Sequence, residues 1–497
     1  AGVCTGLVRA PCQSACPADV DIPGFVSLVK EKRYAEALKL HRERNPFAAV
    51  CARVCFHTCE DHCRRSTLDE PVSIRGVKRF LVEQEVTIQT PAVRENAENE
   101  KRKVAVVGAG PAGLSCAYFL ARLGYKPIVF EAESRPGGML AQTIPAYRLP
   151  RETLAREVRM IERMGVTIKT DQRLGRDFSL ESLKEAGYEA VFLGLGAPEN
   201  LDLGIGGEAA EGVVQAVPFL REYNIRGSVP VGRKVIVIGG GNAAVDAART
   251  AIRLDAEEVT ILYRRSQEQM PAYAEEIDEA LHEGVVLRTL TQPLEIVTDG
   301  TGKASGLRCL PMTLGEFDRS GRRRPTASED EPELIEADQI IIAIGQRLEP
   351  KSVLGNTDIE LRPDRFVAAS PVDGQTSVEW IFAGGDMATG PWSVVTAIGA
   401  GERAAVGMDR FLSGAEHAFW RNEWENDTAY DPDADPVPYP REKLPTIDVE
   451  RRSANFDEVE LSWTEASAMR QCGRCLRCDY GKSPVTREIP EEETAHA

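Results

Sequence analysis

The chain is 497 residues long, 42% hydrophobic and 28% charged, with a formal net charge of −17 at pH 7. Its length supports roughly two to four domains, and no apolar run approaches the roughly 18 residues of a membrane span, so membrane insertion is not expected. The acidic excess repels a polyanion and argues against nonspecific nucleic-acid binding. The expected setting is cytoplasmic: no secretion-signal pattern opens the chain, although it begins at Ala1 without Met.

The first expected unit, residues 1–98, reads as short helices joined by cysteine loops; Ile22, Phe25, Val26 and Val29, for example, recur at helical spacing. Seven of the twelve cysteines fall here (Cys4, Cys12, Cys16, Cys51, Cys55, Cys59 and Cys63), and three more, Cys472, Cys475 and Cys478, fall near the end. A disulfide framework is disfavoured in a large chain with a cysteine-poor middle and no secretion signal, so metal or cluster ligation is favoured. Cys116 and Cys309 stand alone and read as packing residues. Arg94 to Lys103 is a polar, charged linker.

Residues 101–227 open with an apolar strand, Val104–Val107, followed by Gly108, Ala109, Gly110, Pro111, Ala112 and Gly113 and an apolar helix. Gly108 permits the tight turn, Gly110 a close approach of backbone to pyrophosphate, and Gly113 close helix packing, with the helix N-terminus facing the phosphates. A second strand, Pro127 to Phe130, ends at Glu131, about twenty residues on, where a carboxylate can accept from a ribose. Gly137 and Gly138 suggest another close backbone approach, and Met139, Leu140 and Arg148 extend the candidate FAD-binding set.

Residues 228–345 repeat the pattern: the strand Val235–Ile238, then Gly239, Gly240, Gly241, Asn242 and Ala243 leading into a helix. The next strand, Val259–Leu262, is followed by Tyr263, Arg264 and Arg265 instead of a carboxylate. A guanidinium there can pair with a 2′-phosphate, which favours NADP(H) over NAD(H). Between Arg319 and Asp338, a basic turn (Arg322, Arg323, Arg324) precedes an acidic stretch and reads as a solvated excursion.

Residues 346–414 return to the flavin unit. After Gly345, the strand Ile381–Ala383 leads to Gly384, Gly385 and Asp386, where a carboxylate can stand by the ribityl chain ahead of a small-residue helix. Residues 415–497, with Trp420, Trp424, Tyr430 and Tyr439, read as an extended arm carrying the last cysteine group.

These residues resemble the small, beta-type subunit of glutamate synthase and its relatives, among them the flavin-containing N-terminal half of dihydropyrimidine dehydrogenase and the large subunit of NADH-dependent ferredoxin:NADP oxidoreductase. The likeness covers about residues 10 to 412. It rests on Pro11-Cys12 through Cys16-Pro17, Asn45-Pro46-Phe47, Val54-Cys55, Cys59, Cys63, Pro71-Val72-Ser73-Ile74, Ile144-Pro145, Tyr147-Arg148-Leu149-Pro150, Tyr263-Arg264-Arg265-Ser266 and Ala343-Ile344-Gly345-Gln346. It implies an α/β fold of two nested Rossmann-like dinucleotide-binding domains, preceded by an α-helical domain holding two 4Fe-4S clusters.

In the family pattern, one cluster matches Cys4, Cys12 and Cys63, and the other matches Cys16, Cys55 and Cys59. Each set is one ligand short, because Leu7 stands where relatives carry a cysteine and Lys78 where they carry a Gln or Glu ligand. Cys51 is a candidate to complete the second set. The C-x-x-C-x-x-C run of Cys472, Cys475 and Cys478 could complete the first, form a third cluster with Cys4 or a partner residue, or bind zinc.

The implied reaction is hydride transfer between NAD(P)H and FAD, with electrons passing singly through the clusters. It needs no side-chain acid or base, so no catalytic side chain is assigned. No C-x-x-C pair lies in the flavin or nucleotide region, which argues against a dithiol of the thioredoxin-reductase type. The first expectation is a subunit of a larger redox complex, exchanging electrons with a protein partner or ferredoxin; electron bifurcation is compatible with it. The alternatives are a stand-alone NAD(P)H:acceptor oxidoreductase and, from another class, a noncatalytic cluster-bearing scaffold.

Overall fold

The computed structural model describes residues 9–317, 321, 323–348, 357–422, 427–429 and 436–479. Cys4, Leu7, Arg322, Trp424 and Tyr430 lie outside the described residues.

The N-terminal unit is helical. Asp21 caps the helix Ile22–Lys30, accepting from the Gly24 amide at 2.9 Å, and that helix buries Ile22, Phe25, Val26 and Val29. Helix Ala48–Val54 carries Cys51 and packs against Ile74–Glu83, which carries Lys78.

Two parallel five-stranded sheets follow. In the first, the spatial order is Ile381–Ala383, Ala190–Leu193, Val104–Val107, Ile128–Phe130 and Thr167–Lys169. Its central strand, Val104–Val107, is buried throughout, as an apolar strand covered on both faces must be. In the second, the order is Val213–Gln215, Gln339–Ile342, Lys234–Ile238, Glu258–Leu262 and Val286–Arg288. The chain leaves the first sheet after Ala190–Leu193 and returns to it at Ile381–Ala383, so one unit is inserted in the other. The two crossings, Glu199–Asn200 and Gln346–Arg347, pair as a short antiparallel ribbon.

The stretch expected as a solvated excursion is instead laddered. Arg323–Ala327 and Glu333–Glu336 both pair antiparallel with the long strand Ala304–Phe317, which also pairs with Thr291–Thr298. Its side chains are mostly exposed, and an antiparallel sheet with one wet face tolerates such charge.

The last segment lies as a strap over the other units. Arg75 and Arg53 of the helical unit pair with Glu460 and Glu458 at 2.5 and 2.6 Å. The Val459 amide donates to the Tyr147 carbonyl at 2.9 Å, and Phe456 stacks on Tyr223 with ring centroids 4.1 Å apart. Arg452 reaches Glu283 of the inserted unit at 3.2 Å.

Candidate functional site

The first glycine turn is a cradle that side chains would fill. Gly108 has φ +100°, and a Cβ there would lie 2.5 Å from the Gly194 carbonyl oxygen; a Cβ on Gly113 would lie 1.9 Å from that of Gly108. Gly138, at φ +54°, approaches Gly110 so closely that a Cβ would meet the Gly110 Cα at 2.9 Å. The helix Pro111–Arg122 starts at this point, so its free amides face the space beside the turn.

Glu131 accepts from the Ala109 amide at 2.6 Å and from the Glu133 amide at 2.9 Å. Burial raises its carboxyl above the ordinary range against those two bonds. Each oxygen keeps a lone pair for a further donor such as a ribose hydroxyl. Across the sheet, Gly385 (φ +67°) leads into Asp386, whose carboxyl burial pushes up to about 6 and which accepts from the Trp392 amide at 3.3 Å. Ser393 caps the helix Val394–Ser413, which packs so tightly on Pro111–Arg122 that a Cβ on Gly401 would lie 2.3 Å from the Ala112 carbonyl oxygen. Leu140 is buried and Met139 half-buried at the start of the short helix after Gly138. Arg148 is turned elsewhere: it bonds Asp246 at 2.9 Å and Glu276 at 3.1 Å, an ion-paired link between the flavin unit and the insertion.

The second turn opens on a cavity of about 690 Å³, lined in part by Gly239, Gly240, Gly241, Asn242, Ala243 and Gly345, a size suited to a cofactor or small ligand. The Tyr263 ring covers Gly240, where a Cβ would meet it at 2.5 Å, and its hydroxyl donates to the Gln269 carbonyl at 2.9 Å. Arg264 is exposed at this cavity; Arg265 is 8% exposed and its Nε donates to the Arg323 carbonyl at 3.2 Å.

Three aromatic residues that sequence patterning misses bring the helical unit to this cavity. Phe56, next to Cys55, lines it together with Trp392, which is 64% exposed, and their rings meet edge to face at 5.9 Å. Tyr273 packs on Phe56 at 4.8 Å. Nothing in the local sequence ties Phe56 to a turn nearly two hundred residues away.

The thiols form two groups of four. Cys16, Cys51, Cys55 and Cys59 all stand near the buried Lys78 ammonium; burial works against its charge, but the four sulfurs together hold its pKa above the ordinary lysine value. Cys51 hydrogen-bonds Cys55, which keeps the Cys55 thiol well below its usual range. Cys12, Cys63, Cys475 and Cys478 line one small cavity whose other walls are mainly apolar, and burial, then the neighbouring sulfurs, push the Cys12 thiol up. Among the described residues no three His, Cys, Asp or Glu side chains form a single-ion site. A 4Fe-4S cube takes each thiolate on a different iron, so its four ligands stand around a cavity, and this donor set has the composition such a cube requires. Cys472 is 2% exposed in the core, and Cys116 and Cys309 are fully buried. Among the described residues no helix is long and apolar enough to cross a membrane.

Two Rossmann-type units, each with a strand, glycine turn and helix, define a dinucleotide-dependent oxidoreductase. The chain belongs to the pyridine nucleotide-disulphide oxidoreductase family, which it matches over residues 102–401, and residues 1–90 match the family described as dihydropyrimidine dehydrogenase domain II, 4Fe-4S cluster. It is 39% identical to the NADP(+)-dependent formate dehydrogenase subunit beta of Moorella thermoacetica, over 95% of this chain and 71% of that one. It is 38% identical to the NADPH-Fe(3+) oxidoreductase subunit beta of Geobacter sulfurreducens, over 94% and 75%, and 36% identical to the glutamate synthase [NADPH] small chain of Escherichia coli, over 82% and 90%. All three relatives are named as subunits or chains of larger enzymes. The fold is also that of Mycobacterium tuberculosis FprA in complex with NADPH, with a TM-score of 0.55 at 20% identity over 63% of this chain and 85% of that one.

Proposed function

We propose that this chain is the NADPH-oxidising electron-transfer subunit of a larger redox complex, with FAD at the Gly108 turn, NADPH at the Gly239 turn and 4Fe-4S clusters in the helical unit. The observation that carries this reading is Phe56: one residue from Cys55, it forms part of the wall of the nucleotide cavity, so a cluster ligand and the nucleotide site share a boundary. Held at the Gly108 turn, FAD would supply the chemistry of hydride acceptance and one-electron release.

The chain's own residues prepare the sites. Gly108, Gly110, Gly113 and Gly138 leave room for a pyrophosphate at the first turn, and Glu131, held by two amides, is oriented toward a ribose. Arg264, exposed at the cavity, is placed to pair with a 2′-phosphate, in line with relatives named for NADP(+) or NADPH. Phe56 and Trp392 offer rings at the cavity against which a nicotinamide can pack. Cys16, Cys51, Cys55 and Cys59 would hold one cluster, with Cys51 replacing the side chain that relatives place at Lys78. The Lys78 ammonium supplies positive charge beside that cluster instead of a ligand.

The test is anaerobic addition of NADPH, and of NADH to a separate sample, to the purified chain. Flavin absorbance is expected to bleach rapidly with NADPH and more slowly with NADH. A flavin that neither nucleotide reduces would leave a cluster-bearing scaffold and refute the reading.

A further inference from the structure

We infer that the C-terminal strap supplies half of the second cluster site: Cys475 and Cys478 join Cys12 and Cys63 as the four ligands of one 4Fe-4S cluster. The inference rests on the reading of the helical unit as a cluster domain and deepens it, since the matched cluster family ends at residue 90. The four sulfurs line a single cavity, and the remaining walls include Pro11, Ile22, Pro23, Val26, Val72 and Ile74, so the site is water-poor. Arg64 and Arg65 line the same cavity and bring positive charge to a cluster that four thiolates make anionic.

A second set of contacts places the strap independently of any cluster. Arg474 is fully buried and donates to Asp69 at 2.9 Å and to the carbonyls of Tyr439 and Glu70. Arg65 binds the same Asp69 at 2.8 Å and donates to the Val437 carbonyl at 2.7 Å. Gln471 accepts from the Ser73 amide at 2.9 Å. These bonds anchor the chain immediately before Cys475, which lines the same cavity as Cys12 and Cys63.

The C-x-x-C-x-x-C spacing would ordinarily suggest three ligands for one separate cluster. Only its last two members face the shared cavity; Cys472 ends the helix Glu465–Cys472 and points into the core. The strap therefore completes the existing set and does not found a third one. Cys475 and Cys478 take the two ligand places that the family pattern gives to Cys4 and to a cysteine where this chain has Leu7.

The test uses the full chain purified without oxygen, with iron, acid-labile sulfide and FAD assayed on one preparation and the reduced clusters followed by EPR. The wild type is expected to hold about eight iron atoms. In the Cys475→Ser/Cys478→Ser variant about four should remain, with one EPR signal lost and FAD content retained. Cys4→Ser and Cys472→Ser should each keep the full iron content. About twelve iron atoms in the wild type, full iron in the double variant, or loss of half the iron in Cys4→Ser would each overturn the inference while leaving the proposed function standing. If the double variant fails to fold, Cys478→Asp keeps an anionic ligand and should shift the EPR signal of one cluster alone; an unchanged spectrum would overturn the assignment. A wild type without acid-labile sulfide would overturn the cluster reading itself and this inference with it.

Discussion

Tyr273 of the inserted unit donates its hydroxyl to the backbone carbonyl of Phe56 at 2.6 Å, one residue beyond Cys55. This bond joins the nucleotide cavity to the helical unit across 217 positions of sequence. Removing it with Tyr273→Phe leaves a partly buried carbonyl unpaired, at a cost of about 1–3 kcal/mol. Stopped-flow spectra should show flavin bleaching by NADPH close to the wild-type rate and cluster reduction several-fold slower. Equal retention of both rates would remove the bond from the electron path.

Arg264 and Arg265 should separate cleanly. Arg264 is exposed at the nucleotide cavity, so Arg264→Ala should raise KM for NADPH about tenfold, equivalent to about 1.4 kcal/mol, and leave KM for NADH nearly unchanged. Arg265 is buried against the Arg323 carbonyl, so Arg265→Ala should lower thermal stability instead. Steady-state kinetics with both nucleotides and a melting curve decide between them.

Both glycine turns are legible in the sequence because each links an apolar strand to a helix within a dozen residues, and the constraint on Gly108 or Gly239 is local. The nested order is legible for the same reason, since Ile381–Ala383 has the composition of a strand that completes the first sheet. Contacts made through space are not legible. Arg148 sits in a motif shared with flavoproteins, yet its charge is taken by Asp246 and Glu276 on another unit. The spacing of Cys475 and Cys478 leaves three destinations open, and only the fold, through Arg474 and Asp69, sets them beside Cys12. The strands at Arg323–Ala327 and Glu333–Glu336 are hidden because exposed charged residues on a wet sheet face look like loop.

Gly399 marks the contact between the flavin unit and the Cys16 loop: a Cβ there would lie 2.1 Å from the Pro17 carbonyl oxygen. Backbone cannot yield as a side-chain tip can, so Gly399→Ala should cost about 1–3 kcal/mol. Limited proteolysis in the Arg94 to Lys103 linker should then run faster than in the wild type, with FAD still bound. Unchanged cleavage would show that the two units do not meet here.

Glu157 ties pH to the same interface. It is fully buried, accepts from the Ala49 and Val50 amides at 2.7 and 3.0 Å, and burial pushes its carboxyl up to about 7 from an unfolded value of 4.5. The folded state therefore holds a proton that the unfolded chain releases, so this group's stabilisation is full below pH about 4.5 and is lost as pH rises through about 7. The bound on the change is about 3 kcal/mol. Glu157→Gln cannot titrate, so the stability of the wild type relative to this variant should fall between pH 5 and pH 8. A pH-independent difference in melting temperature would contradict the assignment.

In the proposed function, one chain carries electrons from NADPH through flavin to its own clusters. An anaerobic stopped-flow mix with NADPH, on protein assayed for FAD, iron and sulfide, tests it directly. Rapid flavin bleaching is expected, followed by loss of cluster absorbance, on protein holding about eight iron atoms per chain. Flavin reduction with clusters left oxidised, or protein without acid-labile sulfide, would contradict it.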